Sequence, residues 1–240
     1  MRPIVHGAVR NGLLQALSPE AFAEFAPHLV EVDLPLKFVL VEQDQPVEQV
    51  CFLTSGLASM VATSVEEAIE VGHIGREGMT GENVALMSRQ TPNRTFMQVA
   101  GSGYMMPAGV FGDLLNGDAV TRKLFLNYVH SCELQLAHSA LASGRYSLYE
   151  RLARWLLMIH DRMDGDDLPL THEFLGLMLG VRRPGVTDQI HLLESSHAIK
   201  ATRGNIKVVD RLKLEEIAGS CYGVPEQEYL RLIGHPVRFT

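Results

Sequence analysis

The chain has 240 residues, 46% of them hydrophobic, with a net charge of −7. That length suits one or two domains with real cores, and no apolar run reaches the roughly 18 residues that a membrane helix needs. Three scattered cysteines, Cys51, Cys132 and Cys221, make neither a disulfide framework nor a metal-ligand cluster.

The opening MRPIVHGAVRNG lacks the hydrophobic region of a signal peptide, so the cytoplasm is the expected location. Residues 11–28, NGLLQALSPEAFAEFAPH, predict two short helices, the second starting at Ser18 as N-cap with Pro19 in its first turn. From 32 to 112 the pattern changes to short β-rich runs: Phe38–Val41, Gln49–Leu53, Ser59–Ala62, Ala68–Val71 and Arg94–Ala100. Gln43-Asp44-Gln45-Pro46, Ser55-Gly56, Gly75, Gly78 and Gly101-Ser102-Gly103 break them. Many short strands at this spacing predict a sandwich or barrel, here assigned to residues 1–112.

Residues 113–144 contain no proline and carry Phe125, Val129, Cys132, Leu136 and Ser139 in a weak heptad rhythm. They predict one long helix, taken as residues 113–146. Residues 147–163 predict an amphipathic helix with Leu152, Trp155, Leu156 and Ile159 inside, and 164–169 a hinge. With the rest of the chain they make a second domain, 147–240.

Residues 170–210 are the most informative stretch. Thr171 is a good N-cap, Phe174, Leu175, Met178 and Leu179 repeat at helical spacing, and Gly180 is a stop. A second helix begins at Arg183-Pro184. Its apolar stripe is Val186, Ile190 and Leu193, and its opposite face carries Pro184, Asp188, His191 and Ser195 with Thr187 at the edge. Ile199–Thr202 and Ile206–Val209 then flank Arg203-Gly204-Asn205, which predicts a hairpin. Helix, turn, helix and hairpin make a winged helix, whose second helix enters a major groove.

Charge is divided unevenly. Residues 171–213 hold seven Lys/Arg against four acids, and residues 1–170 hold twelve against twenty. The acidity belongs to the front, and the segment expected to face phosphate is basic.

THEFLGLMLGVRRPGVTDQI, and less sharply the whole chain, resembles the Crp/Fnr family of bacterial transcription regulators. The resemblance implies an α+β protein: an N-terminal jelly roll (double-stranded β-helix) of the cyclic-nucleotide-binding type, a long dimerisation helix and a C-terminal winged helix-turn-helix. It implies double-stranded DNA and a second copy of the chain as partners, with RNA polymerase a further one if the protein activates, and no membrane.

Arg183 is the first candidate for base readout, reaching guanine by a bidentate pair. Asp188 stands where many family members carry a basic residue. It either accepts from a cytosine amino group or orients Arg182 or Arg183. Arg182, Thr187, Arg203 and Lys207 are candidates for phosphate contact, Thr171 and Gly185 for backbone amides near phosphate. Pro184 shares the reading face, and His191 reaches a base, a phosphate or only solvent.

In the front domain, Gly81, Glu82, Arg94 and Thr95 resemble the Gly-Glu and Arg-Ser/Thr elements that hold a cyclic nucleotide. The Gly-Glu run is one residue longer than usual, which turns the following side chains by about 100° on any helix there. Phe96 also stands where a small residue is usual. Two readings stay open: a working cAMP or cGMP site, and a vestigial pocket in which Glu82 and Arg94 pair or lie at the surface.

No motif requires a cofactor. An iron–sulfur cluster lacks its cysteines, and haem would depend on His73 alone. Redox sensing through Cys132 at a dimer seam is a further alternative. No hydrolase, Walker, zincin or Rossmann motif supports an enzyme. A cupin-like metal enzyme would share the barrel, yet only His73 lies between residues 29 and 129. A helical module that binds a protein partner is the remaining alternative.

Overall fold

The computed structural model describes residues 4–64 and 66–238. Two short helices open the chain, α1 (Gly12–Ala16) and α2 (Pro19–Phe25). Ser18 Oγ accepts from the Ala21 amide, the cap expected of it. Asn11 is fully buried. Its Oδ1 accepts from the amides of Leu13 and Leu14, and its Nδ2 donates to the carbonyls of Leu53 and Gly78. One satisfied amide therefore both caps α1 and ties it to the strands below.

Six antiparallel strands come next: β1 (Val30–Leu34), β2 (Val39–Val41), β3 (Gln49–Thr63), β4 (Ala68–Ile74), β5 (Met79–Thr80) and β6 (Arg94–Pro107). They form one sheet ordered β1-β6-β3-β4, with β2 also on β6 and β5 on β3. Ser55-Gly56 and Gly101-Ser102-Gly103, read as breaks between strands, lie inside β3 and β6. The two strands bend there together, with register shifts between Leu53 and Ala58. A Cβ on Gly101 would stand 2.1 Å from the Ser55 carbonyl oxygen, and Gly56 takes φ +80° against Val99 and Ala100. The glycines end neither strand; they let two backbones cross closely at a bend. The bend gives the jelly-roll path, but no pairing among the described residues closes the sheet into a barrel.

The expected single helix from 113 is two. α3 (Ala108–Gly117) stops at Asp118, whose backbone is extended, and α4 (Ala119–Arg145) starts there. Asp118 accepts from the amides of Val120 and Thr121, so its side chain caps a new helix instead of continuing the old one. Phe125 and Val129 face inward, the former stacked on Phe25 at 5.9 Å and edge-on to Phe52 and Phe111 at 6.0 and 4.9 Å. Cys132 packs against the same core. This part of the predicted heptad seam covers the chain's own strands, because their apolar face has to be covered. Leu136 stays 38% exposed, and the Ser139 hydroxyl donates to the Gln135 carbonyl. The outward face of α4 carries Leu126, Ala137 and Leu141.

The second half holds α5 (Leu148–His160), β7 (Asp167–Leu168), α6 (His172–Leu179), α7 (Arg183–Ser195), β8 (Ile199–Thr202), β9 (Asn205–Val208), α8 (Arg211–Ala218) and α9 (Val224–Ile233). Ser147 and Glu150 close a capping box on α5. Leu152, Trp155, Leu156 and Ile159 are buried as expected, in a core with Val186, Ile190 and Leu193. Leu57 of β3 belongs to that same core, so the two halves pack directly.

The tail does what its sequence did not reveal. Tyr229 and Ile233 of α9, with Val237, lie in the front core beside Leu13, Leu14 and Phe125. Tyr229 Oη donates to the Glu77 carbonyl, and Asn127 Nδ2 to that of Leu232. No described helix is long and apolar enough to cross a membrane.

Candidate nucleic-acid interface

α6 and α7 are set by their ends. Thr171 Oγ1 accepts from the Phe174 amide, which starts α6. Gly180 ends it at φ +64°, and the Val181 amide donates back to the Gly176 carbonyl. Shortly after, Pro184 stands in the first turn of α7. Val186, Ile190 and Leu193 are fully buried, so the helix is held by its apolar stripe and its other face is fixed in direction.

That other face holds Pro184, Asp188, His191 and Ser195, all exposed, with Arg182 and Arg183 exposed at the N-terminal tip. Among the described residues no ion pair joins Asp188 to Arg182 or Arg183. The arginines thus lack the orienting contact considered for them, and they stand open to solvent. Thr187 is less available than expected. Its hydroxyl donates to the Arg183 carbonyl and lies 3.0 Å from His172 Nδ1. Burial, and the nearby charges of Arg183 and His191, hold His172 below its ordinary pKa, so it is a neutral partner for that hydroxyl. Gly185 is half-buried near Leu148.

The wing is a three-stranded sheet, β7-β9-β8, not a lone hairpin. Asp167-Leu168 of the expected hinge supplies β7, and Asn205 begins β9, leaving Arg203-Gly204 as the turn. Asn205 Nδ2 donates to Asp167, which fixes the added strand. Lys200 and Lys207 stand directly opposite each other across β8 and β9. Like charges in that register destabilise a bare sheet. A polyanion laid across them removes the penalty.

Between α6, α7 and the wing runs an open groove of about 670 Å³, lined among others by Thr171, Arg183, His191, Thr202 and Arg203. Glu173 and Glu194 also face it. Glu194 is engaged: it accepts from the Ala201 amide and lies near His191, so it braces the wing against α7.

The front-domain residues do not converge in the same way. Gly81, at φ +77°, precedes a short 3-10 helix from Glu82 to Leu86. Glu82 lines an internal cavity. Arg94 turns to the surface, pairs with Glu42 at 3.1 Å and lies over the Phe96 ring. Thr95 is buried within β6. Cys132 is a thiol pushed well above its ordinary pKa by burial, which opposes its reaction as thiolate. A last short helix is readable from Glu226 to Ile233, and α9 forms there. Sequence reasoning missed where α9 docks, the third wing strand and the role of Glu194, because the polar pattern around Glu226 and Tyr229 gave no periodic signal of contact with a region so distant in the chain.

Residues 150–217 match the family model of the Crp-like helix-turn-helix domain. Among curated proteins no relative matches. Among solved structures, a crp/fnr-family transcriptional regulator from Eubacterium rectale superposes with a TM-score of 0.67 at 17% identity, over 86% of this chain and 97% of that one. FixK2 from Bradyrhizobium japonicum gives 0.69 at 14% identity, over 80% and 98%. The c-di-GMP-responsive global regulator CLP of Xanthomonas campestris gives 0.62 at 14%, over 80% and 99%. Residues 150–217 thus match the Crp-like helix-turn-helix domain, and the chain as a whole shares the fold of solved Crp/Fnr-family structures.

Proposed function

We propose that the protein is a homodimeric DNA-binding transcription regulator. The observation that carries this reading is α7 itself: a helix clamped by a fully buried stripe, with exposed arginines at its tip and a basic wing beside it. In a two-fold dimer the two α7 helices enter successive major grooves about 34 Å apart on a near-palindromic site. Arg183 reads a guanine, Asp188 accepts from a cytosine amino group, and Arg182, Arg203 and Lys207 position the phosphates. The outward face of α4, with Leu126, Ala137 and Leu141, meets the second copy. Leu126→Glu with Leu141→Glu should then give a folded monomer by sedimentation.

The front domain serves as the effector domain. Its geometry favours an effector other than a cyclic nucleotide, since Arg94 is engaged with Glu42 and does not line the cavity that Glu82 lines. The deciding experiment is fluorescence anisotropy with DNA from the gene's own promoter, at fixed salt, with and without cAMP. Sequence-selective binding without cAMP supports this reading. Binding only with cAMP restores Glu82, Arg94 and Thr95 as nucleotide ligands, and absence of selective binding to promoter or randomised DNA rejects the DNA-binding reading.

A further inference from the structure

We propose that the cavity between β4, α4 and α9 is a binding site for a compact organic cation, an amine or amidine bearing several N–H donors. The inference rests on the reading of the front half as an effector domain and gives that domain a ligand class.

The cavity has a volume of about 130 Å³. That is near the size of an engineered cavity that holds benzene, and a cyclic nucleotide is far larger. Three carboxylates line it, Glu77, Glu82 and Glu226, against one cation, Arg162. Arg162 is fully occupied within the chain. Its Nε donates to Glu77 at 2.7 Å, Nη1 to the Met158 carbonyl and Nη2 to Gln135 Oε1. It therefore cancels Glu77 and offers little to an anion.

Glu82 and Glu226 have no ion-pair partner among the described residues. Burial pushes both above the ordinary carboxylate range. Backbone amides are their only donors among the described residues: Glu82 accepts from its own, Glu226 from its own and that of Gly223.

A third acceptor comes from a different source. His73 is 3% exposed and lines the same cavity. Its Nδ1 lies 3.2 Å from Glu70 Oε1, and its Nε2 is buried without a partner among the described residues. With Nδ1–H donating to Glu70 Oε1, the oxygen that also accepts from Trp155 Nε1, Nε2 carries the lone pair and awaits a donor. Burial holds this ring well below its ordinary pKa, so it remains an acceptor at neutral pH.

His73 Nε2 is thus an unmet acceptor, and Glu82 and Glu226, once ionised, add two carboxylates with no cation paired to them among the described residues. An ammonium or amidinium supplies N–H donors to each, and Tyr128 and Tyr229, which also line the cavity, add aromatic surface beside its charge. A metal ion fits less well, because no three His, Cys, Asp or Glu residues are grouped to hold one among the described residues. The site joins three parts of the chain: His73 from the sheet, Arg162 just beyond α5, and Glu226 from α9. A cation bound there draws the tail onto the post that carries the DNA module.

The test is calorimetry and thermal unfolding of the full chain with n-butylamine, 1,4-diaminobutane and acetamidine, beside n-butanol and cAMP. At least one amine or amidine should bind and raise Tm, with proton release as Glu82 or Glu226 ionises. Butanol and cAMP should do neither. Glu82→Gln and Glu226→Gln, which keep shape and fold, should each weaken binding about tenfold or more, as loss of a charged hydrogen bond does. Absence of binding by all three cations overturns the proposal, as does butanol binding equally well or affinity unchanged in both variants. Operator binding measured on the same samples separates the two readings. A protein that binds DNA but no cation refutes only this inference, and one that binds a cation but no DNA refutes only the regulator reading.

Discussion

The reading face and the internal cavity use the same residue types in opposite ways. On α7, Arg182, Arg183 and Asp188 are exposed and uncommitted, while stability rests on Val186, Ile190 and Leu193 behind them. In the cavity, Arg162 and Glu77 are each 4% exposed and hold the halves of the chain together. On the proposed reading, specificity is carried where a substitution leaves the fold intact, and coupling where it does not.

The widest separation should come from Arg162→Ala. It leaves Glu77 buried without its cation, which costs about 3 to 5 kcal/mol; denaturant unfolding should show the loss. Arg183→Ala should do the reverse. Operator affinity falls by about 1 to 3 kcal/mol per half-site and discrimination relaxes at one base pair of each, with Tm unchanged. A large loss of stability in that variant would contradict the division between reading face and cavity.

Tyr229→Phe removes only the donor to the Glu77 carbonyl and should cost about 1 kcal/mol. The pH dependence offers a finer probe. Burial raises Glu70 from 4.5 to about 8, although Trp155 Nε1 donates to it. The folded chain therefore holds this proton where the unfolded chain has lost it, and this group's contribution falls as pH rises from about 4.5 to 8. Glu70→Gln should flatten that decline relative to the parent protein. The smallest effect is expected at the wing. Lys207→Ala should weaken binding to all sequences alike and make the salt slope shallower by about two, one phosphate for each copy in the dimer.

The second half was more legible than the first, for a physical reason. Thr171, Gly180 and Pro184 act on their own neighbours, and Val186, Ile190 and Leu193 repeat at the helical period, so local chemistry states the structure. Helix ends and stripes came out accordingly. The glycines of β3 and β6 misled, because a crossing of two backbones and a turn ask for the same residue. Phe125 and Val129 misled differently: a heptad rhythm says that a face is covered, and not by which surface. The cavity was beyond reach, since Glu82 and Glu226 become neighbours only through the packing of α9 on α4.

That packing also bears on how the molecule is made. Leu13 and Leu14 come early in synthesis, yet their core is completed by Tyr229, Ile233 and Val237. Contacts so distant along the chain form slowly. The front domain therefore cannot finish folding as it leaves the ribosome, as an independent N-terminal domain would. It waits for the helix-turn-helix half to emerge, and an apolar surface stays open until α9 arrives. A nascent chain stalled before residue 224 should bind chaperones and resist protease poorly, even though its β strands are complete.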